Sequence, residues 1–164
     1  MASRAQILIP ITIAAFIVGI AGVLTIPSET KLQSVDFKKG TVKLDNVVLN
    51  VEVADTDATR TRGLMFRSQL PYDKGMIFVF DDERVIPMWM LNMQFSLDVI
   101  WFDGKGNVVH IEKDADPCKS ALETMVCTYK NAEGKKAKYV LEVTSGFVDK
   151  FGITENSKLQ IISI

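Results

Sequence analysis

Gly75-Met76-Ile77-Phe78-Val79-Phe80 is a short stretch in which every residue after the glycine is apolar. A continuous apolar run of this length predicts a strand that is buried on both faces, because an exposed face would alternate with polar residues. Such a strand needs neighbouring strands at its edges and apolar layers above and below it. The stretch therefore predicts a domain built around a β-sheet.

Further strand signals lie on both sides of this stretch. Val47 to Val53 alternates apolar and polar residues, as expected of a half-buried strand. Asp103-Gly104-Lys105-Gly106 has turn composition, and alternation resumes in Asn107 to Lys113, which predicts a hairpin. The remaining predicted strands are Pro87 to Asn92, Leu97 to Asp103, Lys138 to Thr144 and Lys158 to Ile162.

Two short helices are expected between these strands. Asp55 or Thr56 can cap a helix that runs towards Leu64, and Ser145 can cap another that ends at Gly152. Many short strands with few helices predict a mainly β fold, here a compact sandwich-like or barrel-like domain over residues 35–164.

The N-terminal residues 1–26 are predicted to be a membrane anchor. No charged residue occurs from Ile7 to Ile26, and a helix of that length covers roughly 30 Å, the thickness of the hydrocarbon core. Arg4 places the N-terminus in the cytoplasm by the positive-inside rule. We therefore expect a single-pass membrane protein, with residues 27–34 as a tether and the β domain on the extracytoplasmic side.

A cleaved signal peptide is the alternative reading of this segment, and it exports the domain equally. Signal peptides usually have an apolar region of only about 7 to 15 residues, followed by a small-x-small site. The run here is longer and ends at Val23-Leu24-Thr25-Ile26-Pro27, without an Ala-x-Ala pattern. The uncleaved anchor is therefore the favoured reading.

The charges of the chain are balanced, with 19 basic and 20 acidic residues. No cluster or stripe of Lys and Arg is present, so the sequence gives no support for a nucleic-acid partner. The anchor favours the membrane itself as a partner, and a membrane-protein complex as the setting in which the domain acts.

Cys118 and Cys127 are the two cysteines of the chain. An exported domain lies in an oxidising compartment, which favours a disulfide between them. A thiolate metal site is the alternative, but such a site normally needs further ligands, and His110 is the single histidine.

A series of ordered motifs runs through the β domain. They are RGLMFR at Arg62 to Arg67, Leu70-Pro71, Gly75 to Phe80, Trp89-Met90 with Asn92, Leu97 to Ile100, Pro117-Cys118, Tyr139 to Val143, Gly146 and Gly152. Together they resemble the family called domain of unknown function 192, over about Val47 to Ile164. The resemblance implies a compact β-sandwich-like domain, often exported or membrane-anchored, and it implies no reaction. Leu91, Met93 and Ser96 stand where the family usually has Lys, Thr and Pro.

Arg60, Arg62, Asn92 and Asp98 form the first candidate site. An arginine on a capped helix can hold a carboxylate or a phosphate through two parallel hydrogen bonds. Asp98 begins an apolar strand, and a carboxylate there needs a partner. The alternative is structural, with Arg62 and Asp98 as an ion pair and Asn92 bonded to the backbone at a strand end.

Met88, Met90, Met93 and His110 form the second candidate site. Thioethers and imidazole are suitable ligands for Cu(I), which makes copper the candidate metal. The alternative is that the methionines fill an irregular core. The sequence predicts no other cofactor.

Three functional hypotheses follow from these features. The first is a binding or interaction module, such as an accessory subunit of a membrane complex. The second is a copper- or other metal-handling domain. The third is an enzyme that acts on a small polar or saccharide-like substrate, although no nucleophile elbow or phosphate-binding glycine loop is present and no catalytic residue is predicted.

Overall fold

The computed structural model describes residues 35–118, 120, 122, 127–130 and 134–164. The predicted anchor and tether lie outside these residues. Within the described ranges, no helix is both long enough and apolar enough to cross a membrane.

The described residues form nine strands and two short helices, which confirms the mainly β class. In chain order the elements are β1 (Lys38–Leu44), β2 (Val47–Ala54), α1 (Asp57–Arg62), β3 (Lys74–Arg84), β4 (Pro87–Trp89), β5 (Leu97–Phe102), β6 (Val108–Ala115), β7 (Thr128–Lys130), β8 (Ala137–Thr144), α2 (Phe147–Phe151) and β9 (Leu159–Ser163).

Seven of these strands form one mixed sheet in the order β6-β5-β8-β3-β2-β1-β9, while β4 and β7 pair separately. Only β2 and β3 of this sheet run parallel, and α1 lies in the connection between them. The turn before β6 meets the start of β9, where the Leu159 N–H donates to the Gly106 carbonyl at 2.8 Å. The sheet is not closed into a barrel in the part of the chain that the structure describes.

The core lies on both faces of the sheet. One face, here called the cavity face, carries Met76 and Phe78 of β3 and Trp101 of β5. The other, here called the α2 face, carries Ile77 and Ile100 and is covered by α2. Because β3, β5 and β8 contribute to both clusters, they are buried on both sides, as the Gly75 to Phe80 stretch predicts.

Some local predictions differ from the structure. β1 and β7 were not predicted. β4 ends at Trp89 rather than Asn92, because Trp89 pairs with Thr128, the first residue of β7, and Asn92 has a positive φ of 58° that does not suit a strand. Ser145 does not cap α2. Gly146 occupies that position with a φ of 80°, and the Ser145 hydroxyl instead hydrogen-bonds to Asp114.

Candidate functional site

A cavity of about 430 Å³ opens on the cavity face, between α1, β3 and the segment that contains β4. Its walls are largely aromatic and aliphatic, with a few charged side chains among them. The residues that line it include Asp57, Arg60, Arg62, Gly63, Met65, Phe78, Phe80, Arg84, Met88, Trp89, Met93 and Glu142. A concave, mainly apolar pocket with few polar groups is the usual form of a small-molecule site.

The sequence Arg62-Gly63-Leu64 builds one wall of this cavity. Thr56 caps α1 through a capping box with Thr59, which fixes where the helix begins. Gly63 ends it with a φ of 45°, a conformation that glycine adopts without steric cost. The turn at Gly63 buries Leu64 in the core, while Arg62 lines the cavity.

Arg62 has an unused hydrogen-bond donor. Its Cζ lies 4.9 Å from the centre of the Phe66 ring, and its buried Nη1 finds no hydrogen-bond partner in the described part of the chain. The Phe66 N–H donates to the Asn92 carbonyl at 3.0 Å. Asn92 therefore holds Phe66, the ring on which Arg62 stacks, through its backbone carbonyl. Asn92 is not among the residues that line the cavity.

Arg60 also lines the cavity, but three of its five N–H donors are used within the protein. Nη1 donates to the carbonyls of Asp55 and Val79, each at 2.8 Å, and Nη2 donates to Asp57 at 2.8 Å. Arg60 therefore ties α1 to β3. The structure brings Arg60 and Arg62 to one cavity and gives them different roles.

Glu142 of β8 is the feature that the sequence analysis missed. The residue is 4% exposed, it faces the cavity, and its Oε2 accepts no hydrogen bond from any residue within the described ranges. Its neighbours across the sheet are Met76 and Val99, which are both apolar. Burial without a partner raises the pKa of Glu142 to about 8.

Glu52 of β2 is a carboxylate in the same sheet that has cationic partners, and its pKa moves in the opposite direction. Burial alone would raise its pKa, but hydrogen bonds from Lys39 and Arg67 outweigh that effect and lower the pKa. Glu142 lacks such cations. A carboxyl oxygen that is buried without a hydrogen-bond partner is rare in folded proteins, because each unpaired polar group costs stability.

The comparisons with known proteins bear on this fold. A model of the domain of unknown function 192 (DUF192) family, described as an uncharacterized ACR, matches residues 40–161. The chain belongs to the DUF192 family. The resemblance seen in the sequence is thereby confirmed. No curated protein matches the chain.

Two solved structures resemble this DUF192 chain. A Sinorhizobium meliloti 1021 protein, described provisionally as a transcription regulator, is 30% identical with a TM-score of 0.68, and the match covers 77% of this chain and 96% of that one. A Novosphingobium aromaticivorans DSM 12444 protein of unknown function is 24% identical with a TM-score of 0.65, covering 81% and 98%. The second likeness shows the fold alone.

Asp98 lies away from the cavity of this DUF192 domain. It is fully buried, and strand alternation places it on the α2 face with Ile100. Its Oδ1 accepts from the Asp114 N–H at 3.0 Å, and its Oδ2 accepts from the Val148 N–H at 2.8 Å. Asp98 thus caps α2 and does not join Arg60 and Arg62.

The four predicted copper ligands do not all line the cavity of the DUF192 domain. Met88 and Met93 line the cavity, whereas Met90 and His110 do not. His110 lies on β6, 3.7 Å from Glu112 and 5.3 Å from the ring centre of Trp101. No group of three or more His, Cys, Asp or Glu side chains in the described ranges is placed to hold a metal ion. Methionine thioethers are not among those side chains, so copper binding stays a prediction.

The predicted disulfide between Cys118 and Cys127 is present, with the two Cα atoms 5.5 Å apart. The Cys118 N–H donates to the Met90 carbonyl at 3.0 Å, and the Met90 N–H donates to the Cys127 carbonyl at 3.2 Å. Further along the same wall, the Trp101 Nε1–H donates to the Ile86 carbonyl at 2.8 Å. The disulfide therefore fixes the segment that carries Met88, Trp89 and Met93 along the cavity.

Proposed function

We propose that this DUF192 domain is a binding module that holds a small amphipathic molecule in the cavity between Arg62 and Glu142. One observation carries the proposal. The buried polar atoms Arg62 Nη1 and Glu142 Oε2 both lack partners within the described ranges, and both residues line the same cavity.

Two buried polar groups without partners lower the stability of the fold until a ligand bonds to them. Leaving a buried donor or acceptor unsatisfied costs about 1–3 kcal/mol for each group. A ligand that bonds to both groups recovers that cost, and its apolar part replaces water against Phe78, Phe80 and Trp89. Binding is therefore the event that satisfies these polar atoms.

Binding is favoured over catalysis by the composition of the cavity. His110 is the single histidine of the chain, and it lies on β6 rather than among the lining residues. Among the described residues that line the cavity, the acid besides Glu142 is Asp57, which pairs with Arg60 at 2.8 Å. The proposal includes the extracytoplasmic, membrane-anchored location, which the uncharged Ile7 to Ile26 run and the disulfide support.

The test uses methionine methyl groups as reporters. The full-length chain is labelled with ¹³C at methionine methyls, placed in nanodiscs of deuterated lipid, and screened by NMR against small carboxylic acids and neutral fragments. Met65, Met88 and Met93 line the cavity, whereas Met90 is buried in the same core and does not line it. We expect ligands to shift the first three methyl signals and to leave that of Met90 unchanged. Equal shifts at all four methionines, or no shift with any fragment, would contradict the proposal.

A further inference from the structure

The structure also indicates the chemical class of the ligand, an inference that rests on the proposed function. We propose that the ligand is a carboxylic acid whose carboxylate binds Arg62 and whose second polar group, a carbonyl oxygen, accepts a hydrogen bond from Glu142, with an apolar segment between the two groups.

The carboxylate end follows from the state of Arg62. Stacking on Phe66 at 4.9 Å occupies one face of its guanidinium and leaves the N–H edge, with its unpartnered Nη1, for a ligand. A guanidinium edge presents parallel donors that match a carboxylate. Arg60 is less suited to this role, because both of its Nη atoms already donate, to Asp55, Val79 and Asp57.

The net charge of the cavity also favours an anion. Four charged side chains from other elements reach the cavity with Glu142: Asp57, Arg60 and Arg62 of α1 and Arg84 of β3. The acidic member, Asp57, is paired with Arg60, and Arg84 lies 4.6 Å from the centre of the Phe80 ring. The unbalanced charge is therefore positive.

The carbonyl end follows from Glu142. The pKa of about 8 keeps most of this carboxyl protonated at neutral pH, so its O–H is a donor that lacks an acceptor. A ligand carbonyl supplies that acceptor without adding a second negative charge beside the acid.

The middle of the ligand is set by the cavity wall between the two ends. Arg62 and Glu142 form no ion pair with each other in the described ranges, so a ligand that contacts both groups has to bridge them. The surface that a bridging ligand meets is apolar, with Phe78, Phe80 and Met88 among the lining residues. An aliphatic or aromatic segment fits that surface.

The experiment measures affinity by titration of the methionine methyl shifts in the full-length chain. The probes are methyl-ketone carboxylates of five to eight carbons, the plain alkanoates of equal length, and the matching ω-amino acids. We expect one ketone acid to bind about tenfold more tightly than its alkanoate, which is the effect of one hydrogen bond to a buried donor.

Variants separate the two ends of the ligand. Arg62→Gln is expected to weaken the ketone acid and the alkanoate alike, by about 10- to 100-fold, because each loses a charge-assisted hydrogen bond. Glu142→Leu is expected to abolish the preference for the ketone acid over the alkanoate of equal length. Glu142→Gln keeps a neutral donor and is expected to retain the preference. Above pH 8 the wild-type preference is expected to fall, while that of Glu142→Gln persists.

Four outcomes would overturn the inference. Equal affinity of ketone acids and alkanoates, with both dependent on Arg62, refutes the role of Glu142 and leaves the binding function standing. Tightest binding of an ω-amino acid shows that Glu142 binds a cation as a carboxylate. Failure of every acid to shift Met88 and Met93, in a screen where neutral fragments do so, refutes the anion class. Failure of all compounds refutes the binding function as well.

Discussion

Replacement of Glu142 by glutamine is expected to remove a pH-dependent loss of stability that this residue imposes. The pKa of Glu142 rises from 4.5 to about 8 on folding, because the carboxyl is buried without a partner. The folded state therefore holds the proton more tightly than the unfolded state. The stability that this adds is complete below pH 4.5 and is lost as the pH rises towards 8.

The size of the effect follows from that difference. Each pH unit between the two pKa values is worth about 1.4 kcal/mol, so at pH 7 the wild type has lost about 3 kcal/mol relative to acid conditions. The glutamine side chain does not titrate, so the variant has no such loss. Its free energy of unfolding relative to the wild type is expected to rise by about 3 kcal/mol between pH 4.5 and pH 7.

Urea unfolding at a series of pH values, followed by tryptophan fluorescence, measures this difference. Groups such as Glu52, whose pKa is lowered on folding, lose their stabilising effect as the pH falls. In the wild type and in the variant alike, such groups add their own pH dependence to the free energy of unfolding, opposite in sign to that of Glu142. Comparison of variant with wild type cancels their contribution. The exposed Glu155 provides the control Glu155→Gln, which is expected to follow the wild type. Parallel curves for Glu142→Gln and wild type would refute the reasoning.

Three further changes test how the scaffold holds the cavity. Asp98→Ala leaves two backbone N–H groups without their acceptor and is expected to lower the free energy of unfolding by about 3 kcal/mol; an unchanged urea midpoint would contradict the capping role. Asn92→Val is expected to cost about 1–3 kcal/mol because Asn92 has a φ of 58°, whereas Asn92→Gly is expected to be nearly neutral in the same assay. The double variant Cys118→Ser and Cys127→Ser is expected to lose about 3 kcal/mol and to bind cavity ligands more weakly. Equal ligand affinity with and without reductant would argue against that coupling.

Periodicity predicted most of the sheet from the sequence, because strands buried on one or both faces leave a direct pattern. β1 carries the alternation Gly40, Val42 and Leu44 on its inner side, but its lysines and glycine mask the signal. β7 has three residues, too few for any period. The cap of α2 was assigned to Ser145 on local grounds, and no local rule identifies Asp98, which lies 50 residues before Val148.

The candidate site was predicted in part. Arg62 was identified as a possible anion partner, and the structure places it in the cavity with an unused donor. Glu142 was missed because a glutamate in an alternating strand is normally read as a solvent-facing residue. The available signal was its position inside Tyr139-Val140-Leu141-Glu142-Val143, where the apolar residues on both sides suit a strand buried on both faces. Which strands flank β8 depends on tertiary structure, and sequence alone does not supply that.

The Val148 N–H donates to the side chain of Asp98 on β5, and this contact bears on the order in which the chain folds. Helix α2 has five residues, too few to persist in water by itself, and this backbone donor is satisfied only when β5 is in place. α2 is therefore expected to form late, after β5 and β8 have paired. Loss of the Asp98 carboxylate should then accelerate unfolding while leaving the refolding rate almost unchanged.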